Sequence, residues 1–152
     1  MPKISVPTHM PDWVKSHVTL YIESEGKDGH MWDSAIAGGT GPIPTLLLAT
    51  TGKRSGQDRT VPLIYSETDG GYVVIASRGG SPTHPDWYFN LVADPKVTIR
   101  VATEVYEATA RTATSEERDA LWQQMVDVYP PYNDYQNRAE RQIPVVVLDI
   151  AS

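Results

Sequence analysis

From residue 43 onward the chain is a series of short apolar runs separated by tight turns, and that pattern restricts it to antiparallel β architecture. Ile43 to Thr51 is an apolar run bounded by Pro and Gly, which reads as a buried strand. Gly52-Lys-Arg-Ser-Gly56 is a turn, and Arg59 to Ser66 returns as a second strand. Pro62 lies inside that strand and has no N–H for a ladder, which predicts an edge or a bulge. Asp69-Gly70-Gly71 signals a hairpin leading into a third strand, Tyr72 to Ser77. Lys96 to Val101 alternates polar and apolar residues, and Tyr106, Ala108 and Ala110 continue the alternation in the next run. Ile143 to Ile150 is a final, nearly continuous apolar strand. Strands joined by tight turns pair antiparallel. Roughly six of them leave exposed edges unless the sheet closes on itself. The fold class is therefore α+β, mainly β: a small β-barrel, closed or split, with peripheral helices. An open α+β sheet is the alternative.

Helical spacing appears in three places. Over 11–24, Trp13, Val14, Val18, Tyr21 and Ile22 share one face and Pro11 suits a helix start. A short helix is expected over 85–93, with Pro85 in its first turn and Asp94-Pro95 ending it. Thr114-Ser-Glu-Glu117 is a capping box opening a helix through Val128, with Leu121, Trp122, Met125, Val126 and Tyr129 as its buried stripe. Pro130-Pro131 is read as its stop, followed by a polar segment over 132–141. Residues 25–42 are Gly-rich and irregular. No repeat, low-complexity tract or linker divides the chain. Residues 1–42, the N-terminal helix and irregular segment, are expected to join residues 43–152 in one domain.

Composition removes most chemistry. Thirteen Lys+Arg against 19 Asp+Glu give a formal charge of −6, a poor basis for contacts to nucleic-acid phosphates. The absence of Cys excludes disulfides, thiolate zinc sites and cysteine nucleophiles. His9, His17, His30 and His84 lack metal-ligand spacing, and no metal is expected. There is no Gly-x-Ser-x-Gly elbow, no Walker A loop and no strand-leading Gly-x-Gly-x-x-Gly. Redox or electrophilic chemistry would have to come from a bound organic cofactor. No leader and no spanning segment are read in the sequence, so a cytoplasmic protein is expected. The amphipathic stretch at 11–24 permits at most loose contact with the inner face of the plasma membrane, and packing over a pocket is favoured. Oligomeric state is left open.

Four segments carry candidate chemistry. Thr51 to Arg59 gathers Lys53, Arg54 and Arg59 in a Gly-bracketed turn, suited to a phosphate or carboxylate or simply a solvated hairpin tip. Arg78-Gly79-Gly80 ends the third strand and either lets backbone approach a ligand or supplies positive φ. Trp87, Tyr88 and Phe89 are three consecutive aromatics at a helix start, more than one core can face. Asn90 reads either as a buried structural amide or as a ligand contact. Tyr129, Tyr132 and Tyr135 are spaced three apart and share a face on a helical turn. They form either a packed rim or the wall of an aromatic substrate site. Eight Tyr to one Phe suits a partly wet, partly apolar site.

Seven segments in order resemble the deazaflavin-dependent nitroreductase family, in its F420H2-dependent quinone and enone reductase branch. They are Thr50-Thr-Gly-x-x-Ser-Gly-Gln-x-Arg59, Pro62-Leu63, Ala76-Ser-Arg-Gly-Gly80, Pro85-x-Trp-Tyr-x-Asn-Leu91, Asp94-Pro-Lys-Val97, Tyr129-Pro-x-Tyr-x-Asp-Tyr135 and Ile143-Pro-Val-Val146. The resemblance implies a split β-barrel like those of flavin reductases and pyridoxamine-phosphate oxidases, and actinobacterial relatives. It also implies coenzyme F420 in its reduced form as hydride donor to quinones, activated alkenes or nitroaromatic compounds. Carried over residue by residue, Arg54, Gln57 and Arg59 fall where the family's turn holds the cofactor phosphate. Pro62, Leu63, Ala76 and Ser77 match strands walling the deazaflavin ring. Arg78, Gly79 and Gly80 match the family's Lys-Gly-Gly, and Trp87, Tyr88 and Asn90 the helix closing over the cofactor. Tyr129, Tyr132 and Tyr135 match the substrate-side tyrosines, with Tyr132 orienting substrate and either a tyrosine or water supplying the proton. Asp86 departs from the family, where an apolar residue is frequent. Two other readings remain: a flavin mononucleotide-dependent split-barrel reductase, and a non-catalytic deazaflavin-binding protein.

Overall fold

A computed structural model describes residues 1–8 and 10–150; His9, Ala151 and Ser152, part of the segments read above, lie outside the described residues. The sheet is hung on β2 (Pro42–Thr51). β2 pairs antiparallel with β3 (Asp58–Ile64) from Thr45↔Ile64 to Thr51↔Asp58. It also pairs with β6 (Lys96–Val101) over Leu46 to Ala49, and with β1 (Met31–Asp33) over Pro42 to Pro44. From β6 the ladder continues antiparallel through β7 (Glu104–Thr112), β8 (Val145–Ile150) and β5 (Gly71–Ile75) to β4 (Ser66–Thr68). Tyr65 alone separates β4 from β3. The sheet therefore curls back to its origin through one bent strand, giving a split β-barrel. Pro62 lies opposite Leu47 in β3, which pairs only with β2 among the described strands. That is the edge position a missing N–H requires.

Burial explains the apolar runs. Leu46, Leu48, Val74, Ile99, Val146 and Leu148 fill the barrel interior. The opposite face of β5 and β8, Val73, Ile75, Val145 and Val147, packs under α3 (Ser115–Val128) through Leu121, Met125 and Val126. With both faces covered, β8 reads as continuous rather than alternating. Each such fully buried aliphatic side chain contributes about 1.5–3 kcal/mol. In α3 the Glu117 carboxylate accepts the Thr114 N–H at 2.9 Å, as the capping box requires.

α1 (Asp12–Glu23) lays Val14, Val18 and Tyr21 against Leu47. The Tyr21 hydroxyl donates to the Thr45 carbonyl at 2.9 Å, with the Arg100 carbonyl at 3.3 Å, and accepts the Ala102 N–H at 2.8 Å. It thus satisfies backbone groups where β2 passes from β1 to β6. Burial pushes this phenol above its ordinary pKa, which keeps the donor proton in place.

The structure corrects the sequence reading in several places. Trp13 is 59% exposed, off the buried face, and stacks on Trp32 at 6.3 Å between ring centres. Trp122 is half-buried rather than core. The third strand ends at Ile75, and the last begins at Val145. Met31–Asp33 forms an additional strand inside the irregular segment. After Pro130 the chain starts a further helix, α4 (Pro131–Arg138), because proline is well placed in a first helical turn. Among the described residues no helix is long and apolar enough to cross a membrane. Tyr21→Phe should cost about 1–3 kcal/mol by leaving the Ala102 N–H without a partner. A lower urea midpoint at unchanged denaturant slope is the expected reading.

Candidate active site

A cleft of about 1720 Å³ opens where the β2–β3 turn, the loop after β5 and the α3–α4 junction converge. Its wall includes Arg54, Gln57 and Arg59 from the turn, Pro62 and Leu63 from β3, and Ser77, Arg78 and Gly79 from the loop. Trp87 and Asn90 come from α2 (Asp86–Ala93), and Tyr129, Tyr132 and Tyr135 from the α3–α4 junction. Three expected residues are not on the wall. Ala76 is buried in the barrel. Tyr88 turns away, its hydroxyl 2.9 Å from Thr112 Oγ1. Gly80 backs onto α4 instead, where a Cβ would lie 2.8 Å from the Tyr135 carbonyl oxygen.

The turn is shaped by its own backbone. The Gly52 N–H donates to the Gln57 carbonyl at 2.7 Å, and the Gly56 N–H to the Gly52 carbonyl at 2.9 Å. Asn90 ties the turn to α2: its Oδ1 accepts the Lys53 N–H at 2.9 Å and its Nδ2 donates to Thr50 Oγ1 at 3.2 Å. Asn90 is thus a structural amide as well as a wall residue. The guanidinium groups of Arg54 and Arg59 have no ion pair among the described residues, where both ion pairs belong to Arg111. Lys53 Nζ lies 6.0 Å from the Phe89 ring centre. Unpaired cations on a turn are a ready anion site.

Arg78, Gly79 and Gly80 have φ of +46°, +63° and +82°. The glycines accept this freely, but for Arg78 it stores roughly 1–2 kcal/mol of strain. Such strain persists only where surroundings fix it. Arg78 Nη1 donates to Thr83 Oγ1 at 2.5 Å, and Arg141 binds the loop ends.

The facing wall is phenolic. The Tyr129 hydroxyl donates to the Ala37 carbonyl at 3.0 Å and lies 2.8 Å from the Tyr135 hydroxyl. Tyr132 is edge-on to Tyr129 at 4.9 Å between ring centres. Burial first, then the Tyr135 phenol, pushes Tyr129 well above its ordinary pKa, and burial does the same to Tyr132. Both therefore stay protonated near neutrality. The Tyr132 hydroxyl has no hydrogen-bond partner among the described residues and is not sealed from solvent. Its proton is free for a ligand.

Other wall residues were not among the expected site residues. Met10, Trp13, His17, Trp32 and Ile36 border the cleft from the N-terminal 42 residues. Asp86 adds a carboxylate to the wall. The described histidines have structural partners: His17 Nε2 meets the Gly29 carbonyl at 2.7 Å, His30 Nε2 the Tyr65 hydroxyl at 2.6 Å, and His84 Nδ1 the Arg141 guanidinium at 2.7 Å.

Comparison with known proteins decides the family. The family model described as F420H(2)-dependent quinone reductase matches residues 13–149. The chain belongs to the F420H(2)-dependent quinone reductase family. A Mycobacterium tuberculosis F420H(2)-dependent quinone reductase is 37% identical over 138 residues, covering 89% of this chain and 88% of that one. The solved F420-H2 dependent reductase FDR-A is 44% identical with a TM-score of 0.65, covering 70% of this chain and 94% of that one. A solved domain-swapped dimer is 39% identical with a TM-score of 0.68, covering 91% and 98% respectively. The chain is accordingly an F420-dependent reductase, and coenzyme F420 is its cofactor.

The cleft fits such a cofactor. It offers an unpaired cationic turn, an open surface at Gly79 where a Cβ would meet nothing within 4 Å, and a free phenol on the facing wall. Asn90→Ala should cost about 1–3 kcal/mol by orphaning the Lys53 N–H. It should also speed amide exchange across 53–57, which hydrogen-exchange mass spectrometry measures.

Proposed function

We propose that this family member reduces small electron-poor molecules, quinones first and activated alkenes (enones) and nitroaromatics beyond them, at the phenolic wall of the cleft. The observation that carries the reading is Tyr132. It is a buried, protonated phenol on the cleft wall whose hydroxyl proton has no acceptor among the described residues.

When bound, the reduced deazaflavin supplies hydride. The protein supplies everything else. Arg54, Arg59 and Gln57 hold the cofactor phosphate, the guanidinium groups giving planar paired donors that an ammonium cannot. Pro62, Leu63 and Ser77 wall its ring, with Ala76 behind them. Arg78, Gly79 and Gly80 form the loop against it, and Trp87, with Tyr88 and Asn90 fixing α2, closes the side. Tyr132 donates a hydrogen bond to the substrate oxygen and steadies the charge that develops there. Tyr129 and Tyr135, locked to each other and to Ala37, keep Tyr132 in place. The proton comes from Tyr132 or from water. α1, which sets Trp13 and His17 on the wall, covers the mouth.

The test is a fluorescence titration with oxidised coenzyme F420, followed by consumption of the reduced cofactor over a panel of quinones, enones and nitroarenes. Binding without turnover on any of them would support a storage protein instead. Tyr132→Phe should lower turnover on the order of a hundredfold with cofactor affinity unchanged; equal turnover would remove Tyr132 from this role. Arg59→Ala should weaken cofactor binding about tenfold, and an unaltered titration would undo the phosphate assignment.

A further inference from the structure

One side chain, distant in sequence, ties both ends of the strained loop. Arg141 lies between α4 and β8. Its Nη2 donates to the Ser77 carbonyl at 2.7 Å and its Nη1 to the Ala76 carbonyl at 3.2 Å, both before Arg78. After Gly80, its Nε donates to the Ser81 carbonyl at 3.0 Å and its Nη1 meets His84 Nδ1 at 2.7 Å. A guanidinium has five N–H donors in a fixed fork, and this one spends nearly all of them on a single loop. Ala76 and Ser77 are buried, so their carbonyls need a donor. An ammonium, whose donors radiate from one atom, cannot span the same set.

We infer that Arg141 is a positioning residue for the cofactor side of the cleft. It fixes the loop in the left-handed shape that presents Arg78 and Gly79 to the cofactor. The inference rests on the cleft being the F420 site proposed above.

His84 makes the device sensitive to acid. Nδ1 accepts from Arg141, so the ring is neutral with its proton on Nε2. The groups facing it are the Arg141 guanidinium and the rings of Tyr88 and Phe89, at 4.9 and 5.6 Å between centres. Arg78 adds positive charge beside Arg141. Asp86, two residues on, has no ion pair with His84. Burial and Arg141 lower the His84 pKa from 6.5. With the folded value below the unfolded one, the contribution is complete above the unfolded pKa. It is lost as pH falls from there through the folded pKa.

The experiment titrates oxidised coenzyme F420 with wild type, Arg141→Lys, Arg141→Ala and His84→Asn between about pH 5 and about pH 8, alongside thermal unfolding of each protein. Both Arg141 variants should bind about tenfold more weakly near neutrality, with turnover at saturating reduced cofactor within about twofold of wild type. Added guanidinium should partly restore Arg141→Ala. Wild-type affinity should fall on the acid side, whereas His84→Asn, whose amide oxygen accepts without titrating, should not. Arg141 variants that lose thermal stability but bind F420 as wild type does would overturn the inference and leave the proposed function standing. So would identical acid profiles for wild type and His84→Asn, a comparison that decides alone if the Arg141 variants do not fold. A wild type that binds no F420 at any pH would overturn both.

Discussion

The ladder between β2 and β3 is the constraint on which the rest depends. It closes the barrel, because β3 continues through Tyr65 into β4 and so joins the far end of the sheet to its start. It also places the cationic turn, which is the connection between those two strands. Register matters here more than anywhere else in the chain. A slip of one residue would exchange the faces of β3, moving Val61 and Leu63 off the barrel cluster they pack against. Asn90 and Tyr21 guard that pairing from its two ends, one binding Thr50 and the Lys53 amide, the other the Thr45 carbonyl.

Charge is distributed by function rather than for stability. The chain is acidic overall, yet Lys53, Arg54, Arg59 and Arg78 converge on one cleft without ion pairs among the described residues. The turn is exposed, so water screens these charges, and the carboxylates of Asp58 and Asp86 line the same cleft. In the proposed function these cations answer an anionic cofactor. The loop at Arg78 follows the same logic with backbone strain in place of charge. Both features face the cleft.

Most of the architecture was legible because burial follows from pattern. The alternation in Lys96 to Val101 marks a strand whose apolar residues face the barrel interior, the apolar run Val145 to Leu148 marks covering on both faces, and each is written in residue order. What escaped depended on tertiary partners. Trp13 fits the helical period but leaves the core to stack on Trp32, a residue in a strand of only three residues. Pro130-Pro131 stops α3 and also opens α4, and the same dipeptide supports either meaning. The site segments were recognisable as segments, through the ordered motifs. The division of labour within them was not. Tyr88, Ala76 and Gly80 lie behind the wall, and Arg141, the second of two arginines in a polar stretch, is distinguished only by four bonds to residues some 60 positions away.

The excess of tyrosine over phenylalanine takes on meaning from where the hydroxyls end. Tyr21 spends its hydroxyl on backbone, Tyr65 on His30, and Tyr88 on Thr112. Each replaces what a phenylalanine would leave unsatisfied at a strand junction or helix edge. In the cleft, Tyr129 and Tyr135 bond each other, and Tyr129 also donates to the Ala37 carbonyl, which fixes both rings around Tyr132. Of the phenols that line the cleft, Tyr132 alone has no partner among the described residues. That hydroxyl still reaches solvent, since it is not among the sealed polar atoms that lack a partner. In the proposed function its open donor position is taken by an acceptor oxygen on a bound substrate. Burial also raises the Tyr132 pKa, which keeps that hydroxyl protonated near neutrality.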